Sequence, residues 1–337
     1  MNNTYRVVLI HRERYLVRNE EKELFCILAG SLRYRNEYPV VGDYVETLEN
    51  PYGDSLIQAI RPRRTLFCRP DRGGHADGFA KTLQVQPLIA NIDYVFIITS
   101  MNHDFSLNRI ARYAAMAVSG GSIPVAVLTK ADLCPDSIEE MEKKVSSLSK
   151  DLQTVSISSQ TGYGLERLRT YFSPGVTIAL LGSSGAGKST LINTLAGRNV
   201  MQTGEIREAD SKGRHTTTHR ELIELNGVSF IDTPGLRELG MINAEKGISG
   251  TFADIADLIS RCTFSDCRHR SEPGCAIREA LENGTLSPER WKTFSRLAQE
   301  NQWSKIRKNE KMMNIAVERR KMSKSSPKRG RDSIGEW

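Results

Sequence analysis

Apolar positions fall along the chain in three patterns. Between residues 1 and about 70 they come in short runs: Arg6–Ile10, Arg14–Val17, Leu24–Leu28, Val40–Val45 and Leu56–Ile60. Turn residues separate them at close spacing, which predicts five strands closing into a small barrel. An oligonucleotide/oligosaccharide-binding (OB) barrel and an SH3-like barrel both fit that count. From about 91 the short apolar runs alternate with helical segments: Ile92–Ile98, Pro124–Leu128, Thr154–Ile157 and Val176–Leu181. Helical periodicity fills the gaps near 107–118, 137–149 and 164–172. Apolar strands alternating with helices predict a mostly parallel sheet covered on both faces. After about 240 the pattern is helical and polar, broken by a cluster of cysteines. The expected organisation is an OB-like, RNA-binding barrel (1–70), a linker (71–90), an α/β nucleotide domain (91–240), a helical metal-binding domain (241–304) and a basic tail (305–337).

The α/β region carries the chemistry. Gly182-Ser183-Ser184-Gly185-Ala186-Gly187-Lys188-Ser189 satisfies G-x-x-x-x-G-K-[ST], follows an apolar run and leads through Thr190 into a helix. Its glycines let backbone N–H groups turn inward around phosphate oxygens at a helix N-terminus. Lys188 is expected on the β- and γ-phosphates and Ser189 on Mg²⁺. Asp232-Thr233-Pro234-Gly235, forty-four residues after Lys188, places a Mg²⁺-side carboxylate at a strand end and offers the Gly235 N–H to the γ-phosphate. Thr129-Lys130-Ala131-Asp132 ends another strand. There Asp132 can accept from guanine N1–H and its exocyclic amine, and Lys130 can lie over the base. Ser158 and Ser159, in the run continuing to Gly162, stand where a supporting base-contact loop is expected.

Between the phosphate loop and Asp232 lies Gly213–Arg220, with Thr217, or its neighbour Thr216, as the switch threonine on Mg²⁺ and γ-phosphate. Leu236 follows Gly235 where many GTPases carry a water-orienting glutamine. A leucine cannot orient water, so slow intrinsic hydrolysis is expected, with His215 the candidate to supply the missing polar group and Arg214 to offset charge.

The order of these parts is unusual. The guanine reader precedes the phosphate loop by about fifty residues, whereas an ordinary GTPase has them the other way round. The parts are complete but rotated, as in a circularly permuted GTPase.

Cys262-x₄-Cys267-x-His269-x₅-Cys275 gathers three thiols and an imidazole within fourteen residues, a donor set suited to a closed structural zinc site. A redox thiol pair is the rival, although the spacing is not C-x-x-C. The chain of 337 residues carries a net +7. Lys305 to Arg331 holds eleven Lys/Arg against Glu310 and Glu318, a local +9 that leaves −2 for the rest. A concentrated basic tail suits RNA. The N-terminus lacks the apolar core of a signal peptide and no run is long enough to span a bilayer, so a cytoplasmic protein is expected.

Taken together, Thr129–Asp132, Gly182–Thr190, Arg214–Thr218, Asp232–Gly235 and the Cys262/Cys267/His269/Cys275 quartet resemble the RsgA (YjeQ/EngC) family. These are circularly permuted GTPases of small ribosomal subunit biogenesis. The resemblance runs over nearly the full length. It implies GTP hydrolysis stimulated by the small subunit, late maturation work near the decoding region, contact with 16S rRNA and one structural Zn²⁺ beside Mg²⁺-GTP. A monomer suits a factor that docks on a large particle. Two positions depart from the family: Thr129 stands in place of the usual Asn, and Asp71–Gln86 is longer than the usual link. Two alternative readings are an RNA-binding scaffold with nucleotide as a structural ligand, and a permuted GTPase acting on another ribosomal particle.

Overall fold

The computed structural model describes residues 3–70, 85–102, 104–149, 152–201, 220–232 and 244–302. Five strands form the N-terminal barrel: β1 (Thr4–His11), β2 (Arg14–Arg18), β3 (Glu23–Leu28), β4 (Tyr44–Leu48) and β5 (Ser55–Ile60). They close in the order 1-2-3-5-4-1, with β3 parallel to β5 and a short helix α1 (Gly30–Tyr34) between β3 and β4. This is the Greek-key connection of an OB barrel, and it decides between the two barrels the strand count allowed. Tyr5, Val7, Tyr15, Val17, Cys26, Leu28, Leu32, Val45 and Ile57 fill the interior. Burial pushes the Cys26 thiol up to about 12.

The fourth strand begins later than the apolar run Val40–Val45 suggests. Val40–Asp43 is a turn closed by its own acid: the Val40 N–H donates to Asp43 Oδ2 at 2.8 Å and the Asp43 N–H to the Val40 carbonyl at 3.0 Å. Arg63 then clamps the same buried carboxylate with two hydrogen bonds, at 2.8 and 2.7 Å. Val40 and Val41 are apolar because they sit under the barrel, where Val41 bridges to Ile89. The expected linker also contains structure. Strand β6 (Leu66–Pro70) pairs antiparallel with β7 (Val85–Ala90), and only the segment between them lies outside the described residues.

The nucleotide domain is built on β8 (Tyr94–Ser100), β9 (Ile123–Thr129), β10 (Gln153–Ser156), β11 (Thr177–Gly182), β12 (Glu221–Leu225) and β13 (Val228–Asp232). Its order is β10-β9-β8-β11-β13-β12, all parallel except β12. Period-two alternation explains why successive residues of the central strands are apolar. Val95 and Ile97 of β8, with Ala179 and Leu181 of β11, face one core. Phe96 and Ile98, with Ile178 and Leu180, face the other. Helices α4 (Leu165–Arg169) and α5 (Lys188–Ala196) cover the second face. Helices α2 (Leu107–Ser119) and α3 (Ile138–Ser146) cover the first.

The sheet does not stop at β12. Strand β1 pairs with it at Leu9 and Glu221, so barrel and nucleotide domain form one eleven-stranded sheet. At the other end of β1, the mostly buried Arg6 guanidinium donates to Ser229 Oγ at 3.0 Å and Thr177 Oγ1 at 2.5 Å.

C-terminal helices α6 (Glu245–Thr251), α7 (Ala253–Ser260), α8 (Ala276–Glu282) and α9 (residues 288–302) pack onto the α2 side. Ile248, Phe252, Ile255, Ile277 and Leu297 belong to the same hydrophobic cluster as α2 and the sheet. Gly247 allows α6 to touch α2, since a Cβ there would lie 1.8 Å from the Ala115 carbonyl oxygen. No helix among the described residues is long and apolar enough to cross a membrane.

Candidate nucleotide site and metal centre

In an open parallel sheet, loops at the carboxyl ends of strands flanking a reversal of strand order form the ligand crevice. Here β11 is central, with β8 on one side and β13 on the other. Its carboxyl end carries the phosphate loop, Gly182–Ser189. Gly185 and Gly187 take φ of +75° and +94°, and this lets the loop turn back over the start of α5 at Lys188. Lys188 Nζ donates to the Gly182 and Ser183 carbonyls at 3.0 and 2.7 Å, bracing the loop from within. Ser184 and Gly185 are exposed at the tip, Thr190 is exposed on α5, and Ser189 is half-buried beside Lys188.

The guanine motif stands at the end of β9. Thr129 is buried, Lys130 takes φ +60° and Ala131–Leu133 form one turn of 3₁₀ helix, which lifts Asp132 clear of the sheet. The Ala131 N–H donates to the Ile157 carbonyl at 3.1 Å, joining this turn to the loop after β10. In that loop the Ser158 hydroxyl accepts from the N–H groups of Gln160 and Thr161, and Ser159 follows it.

Thr129 does something the sequence did not disclose. Its hydroxyl donates to the Ala186 carbonyl at 2.6 Å, fifty-seven residues away, and so fastens the guanine motif to the phosphate loop. A second connection reaches the loop from the opposite side, where the Ser183 hydroxyl donates to the Asp104 carboxylate. Asp232 is buried at the carboxyl end of β13, beside β11. Gly235, Leu236, Arg214, His215, Thr216 and Thr217 lie outside the described residues.

The cysteine quartet is assembled. One donor atom each from Cys262, Cys267, His269 and Cys275 lie within 4.8 Å of one another. His269 Nδ1 is 3.6 Å from Cys262 Sγ and 3.5 Å from Cys275 Sγ. Two features hold the loop. The Glu272 carboxylate accepts from the N–H groups of Arg268, Arg270 and Ser271 at 2.9, 2.8 and 3.0 Å, bonds that hold its pKa down to about 2. His269 packs edge-on against Trp291 of α9. Three sulfurs and one imidazole nitrogen at this spacing could hold a metal ion, and the set leaves a tetrahedral ion no open position.

The fold and these loops define a P-loop nucleotide hydrolase whose Thr129–Asp132 motif precedes its phosphate loop in the chain. The RsgA GTPase family model matches residues 60–242. An ABC transporter model also matches residues 165–324, a stretch that includes the phosphate loop. Among curated relatives, the small ribosomal subunit biogenesis GTPase RsgA of Opitutus terrae is 42% identical, covering 89% of this chain and 83% of that protein. RsgA 2 of Lactiplantibacillus plantarum is 41% identical, over 88% and 82%. Of solved structures, YjeQ from Thermotoga maritima superposes with a TM-score of 0.66 at 26% identity, covering 88% of this chain and 98% of that one. YloQ, described as a circularly permuted GTPase, has the same fold, with a TM-score of 0.61 at 24% identity. The chain belongs to the RsgA GTPase family and is a GTP hydrolase.

Proposed function

We propose that the protein binds the small ribosomal subunit and acts in its late maturation, with GTP hydrolysis stimulated by the particle and coupled to release. The observation that carries this reading is the joining of two loops at one end of the sheet. Thr129 bonds the guanine motif to the phosphate loop, in a chain whose relatives are named for small-subunit biogenesis.

In this reading Asp132 selects guanine, Lys130 lies over the base and Ser158 and Ser159 support it. Backbone N–H groups of Gly182 to Lys188 cradle the phosphates. The Lys188 ammonium leaves its two carbonyls for the β- and γ-oxygens, and Ser189, Asp232 and Thr217 would hold Mg²⁺, which neutralises charge on the leaving phosphates. The quartet would hold zinc as a structural ion, fixing α8 and α9 beside the GTPase core. The barrel and the basic tail supply RNA contacts, and the protein acts as a cytoplasmic monomer.

Leu236 favours a second reading, an RNA-binding scaffold in which nucleotide is a structural ligand. GTP turnover measured alone and with isolated small subunits, large subunits and whole ribosomes separates the two. Stimulation confined to small subunits supports the maturation GTPase and makes His215→Ala the next variant. No stimulation by any particle leaves the scaffold.

A further inference from the structure

We infer that Asp104 is a positioning residue of the phosphate loop and ties that loop, through Arg109 and helix α2, to helix α9 of the C-terminal module. The inference rests on the phosphate loop binding nucleotide.

The phosphate-loop pattern leaves the side chain after its first glycine unspecified. In this chain that residue is Ser183, which is buried with its hydroxyl on the Asp104 carboxylate. Asp104 is in turn fixed by its own surroundings. Its carbonyl accepts from Thr99 Oγ1 at 3.0 Å and from Arg109, and Arg109 also pairs with the carboxylate at 2.8 Å. The loop is thus tethered at two points, Ala186 through Thr129 and Ser183 through Asp104. The phosphate-facing N–H groups lie between and beyond these points. Freeing either lets those groups point elsewhere, and nucleotide must then re-order them.

Arg109 belongs to α2, and its neighbours on that helix reach α9. Arg112 pairs with Glu300 at 2.9 Å, and Thr293 Oγ1 lies 3.4 Å from Asn108 Oδ1. Three-residue spacing places Arg109 and Arg112 on one helix face. Both sets of contacts line one cleft of about 560 Å³, which Ser183, Ser184, Thr293, Arg296 and Glu300 border together. Residues 303–337, which include the basic stretch, follow α9 in the chain.

The test uses the full chain, with two readouts: affinity for a fluorescent GDP analogue, and deuterium uptake of residues 288–302 with and without GDP. Ser183→Ala and Asp104→Ala are each expected to weaken GDP binding about tenfold, and the double variant no further, because both remove the same hydrogen bond. Asp104→Asn keeps an acceptor oxygen for Ser183 but loses the charge that holds Arg109. It is expected to restore most of the affinity while losing the GDP-dependent protection of residues 288–302. Glu300→Gln is expected to lose that protection with affinity unchanged.

Wild-type affinity in Ser183→Ala, or additive losses in the double variant, would overturn the tether. Protection that persists in Asp104→Asn, or is absent from the wild type, would overturn the link to α9. A wild-type chain that fails to bind GDP overturns the nucleotide-site assignment along with this inference. Thermal melts identify a variant that has not folded, and Ser183→Thr, which keeps the hydroxyl, must then retain affinity.

Discussion

Replacing Thr129 with valine tests what the first residue of the guanine motif does. Valine has nearly the same shape and keeps the buried packing, but it removes the donor that the Ala186 carbonyl accepts at 2.6 Å. A hydrogen bond of this kind contributes about 0.5–1.5 kcal/mol, and leaving a buried carbonyl unsatisfied costs about 1–3 kcal/mol. In the free protein the loop can relax until Ala186 meets water, which recovers part of that cost. Nucleotide must then draw the loop back, and the recovered energy reappears as lost affinity. At about 1.4 kcal/mol per tenfold, a loss of about 1–2 kcal/mol weakens GDP and GTP binding by about 5- to 30-fold. Asp132 is untouched, so preference for guanine over adenine nucleotides should not change. Titration with a fluorescent GDP analogue, followed by competition with GTP and ATP, measures both quantities. Unchanged affinity accompanied by a loss of guanine preference would refute the argument, since Thr129 would then be reading the base and not holding the loop.

Other parts of the structure give equally direct tests. Arg63→Ala leaves the fully buried Asp43 carboxylate without its two-point partner and should destabilise the barrel by about 3–5 kcal/mol, read as a lower urea midpoint; an unchanged midpoint would mean that solvent reaches Asp43. Gly247→Ala places a methyl group 1.8 Å from the Ala115 carbonyl oxygen, so α6 must move off α2 at a cost of about 1–3 kcal/mol, and wild-type thermal stability would contradict the close approach. Glu272 is depressed from 4.5 to about 2, chiefly by the Arg270 N–H, so its hold on the metal loop is complete above about pH 4.5 and fades as pH falls toward 2. In chelated protein the amide NMR signals of Arg268, Arg270 and Ser271 should therefore titrate near pH 2, and Glu272→Gln should give the acid pattern at neutral pH; titration near 4.5 would show that the carboxylate is not bonded to them.

The parts legible in the sequence were those governed by local rules. Strands β8, β9 and β11 stood out because both faces of a covered sheet are apolar there, which makes their runs nearly continuous, while β10 and β13 were marked by shorter apolar stretches around Val155 and Phe230. The phosphate loop and the quartet were legible because their donors lie close together in the chain. Strand β12 was missed because Glu221 and Glu224 interrupt its apolar residues, and its partners β13 and β1 are not encoded locally. Strands β6 and β7 were read as boundary and linker because residues 71–84 separate the two arms of their hairpin. Val40 and Val41 imitated a strand because a turn under a barrel is apolar for the same reason that a strand is. Least legible were the bonds Thr129–Ala186 and Ser183–Asp104, whose partners are 57 and 79 residues apart; threonine at 129 read only as a departure from the usual Asn until the fold brought Ala186 to it.

Strand β12 lies at the margin of the nucleotide domain, with β13 on one side and the barrel strand β1 on the other. Without the barrel, its outer row of N–H and C=O groups, between the side chains of Leu222, Ile223 and Leu225, would be open to pairing with any other extended chain. The barrel therefore caps the Glu221 end of that margin through β1, in addition to any RNA it contacts. A fragment beginning at residue 91 would retain the whole phosphate loop and guanine motif, yet would carry an adhesive strand margin on its surface. Self-association of that fragment, relieved when the barrel is restored, is the behaviour this margin dictates.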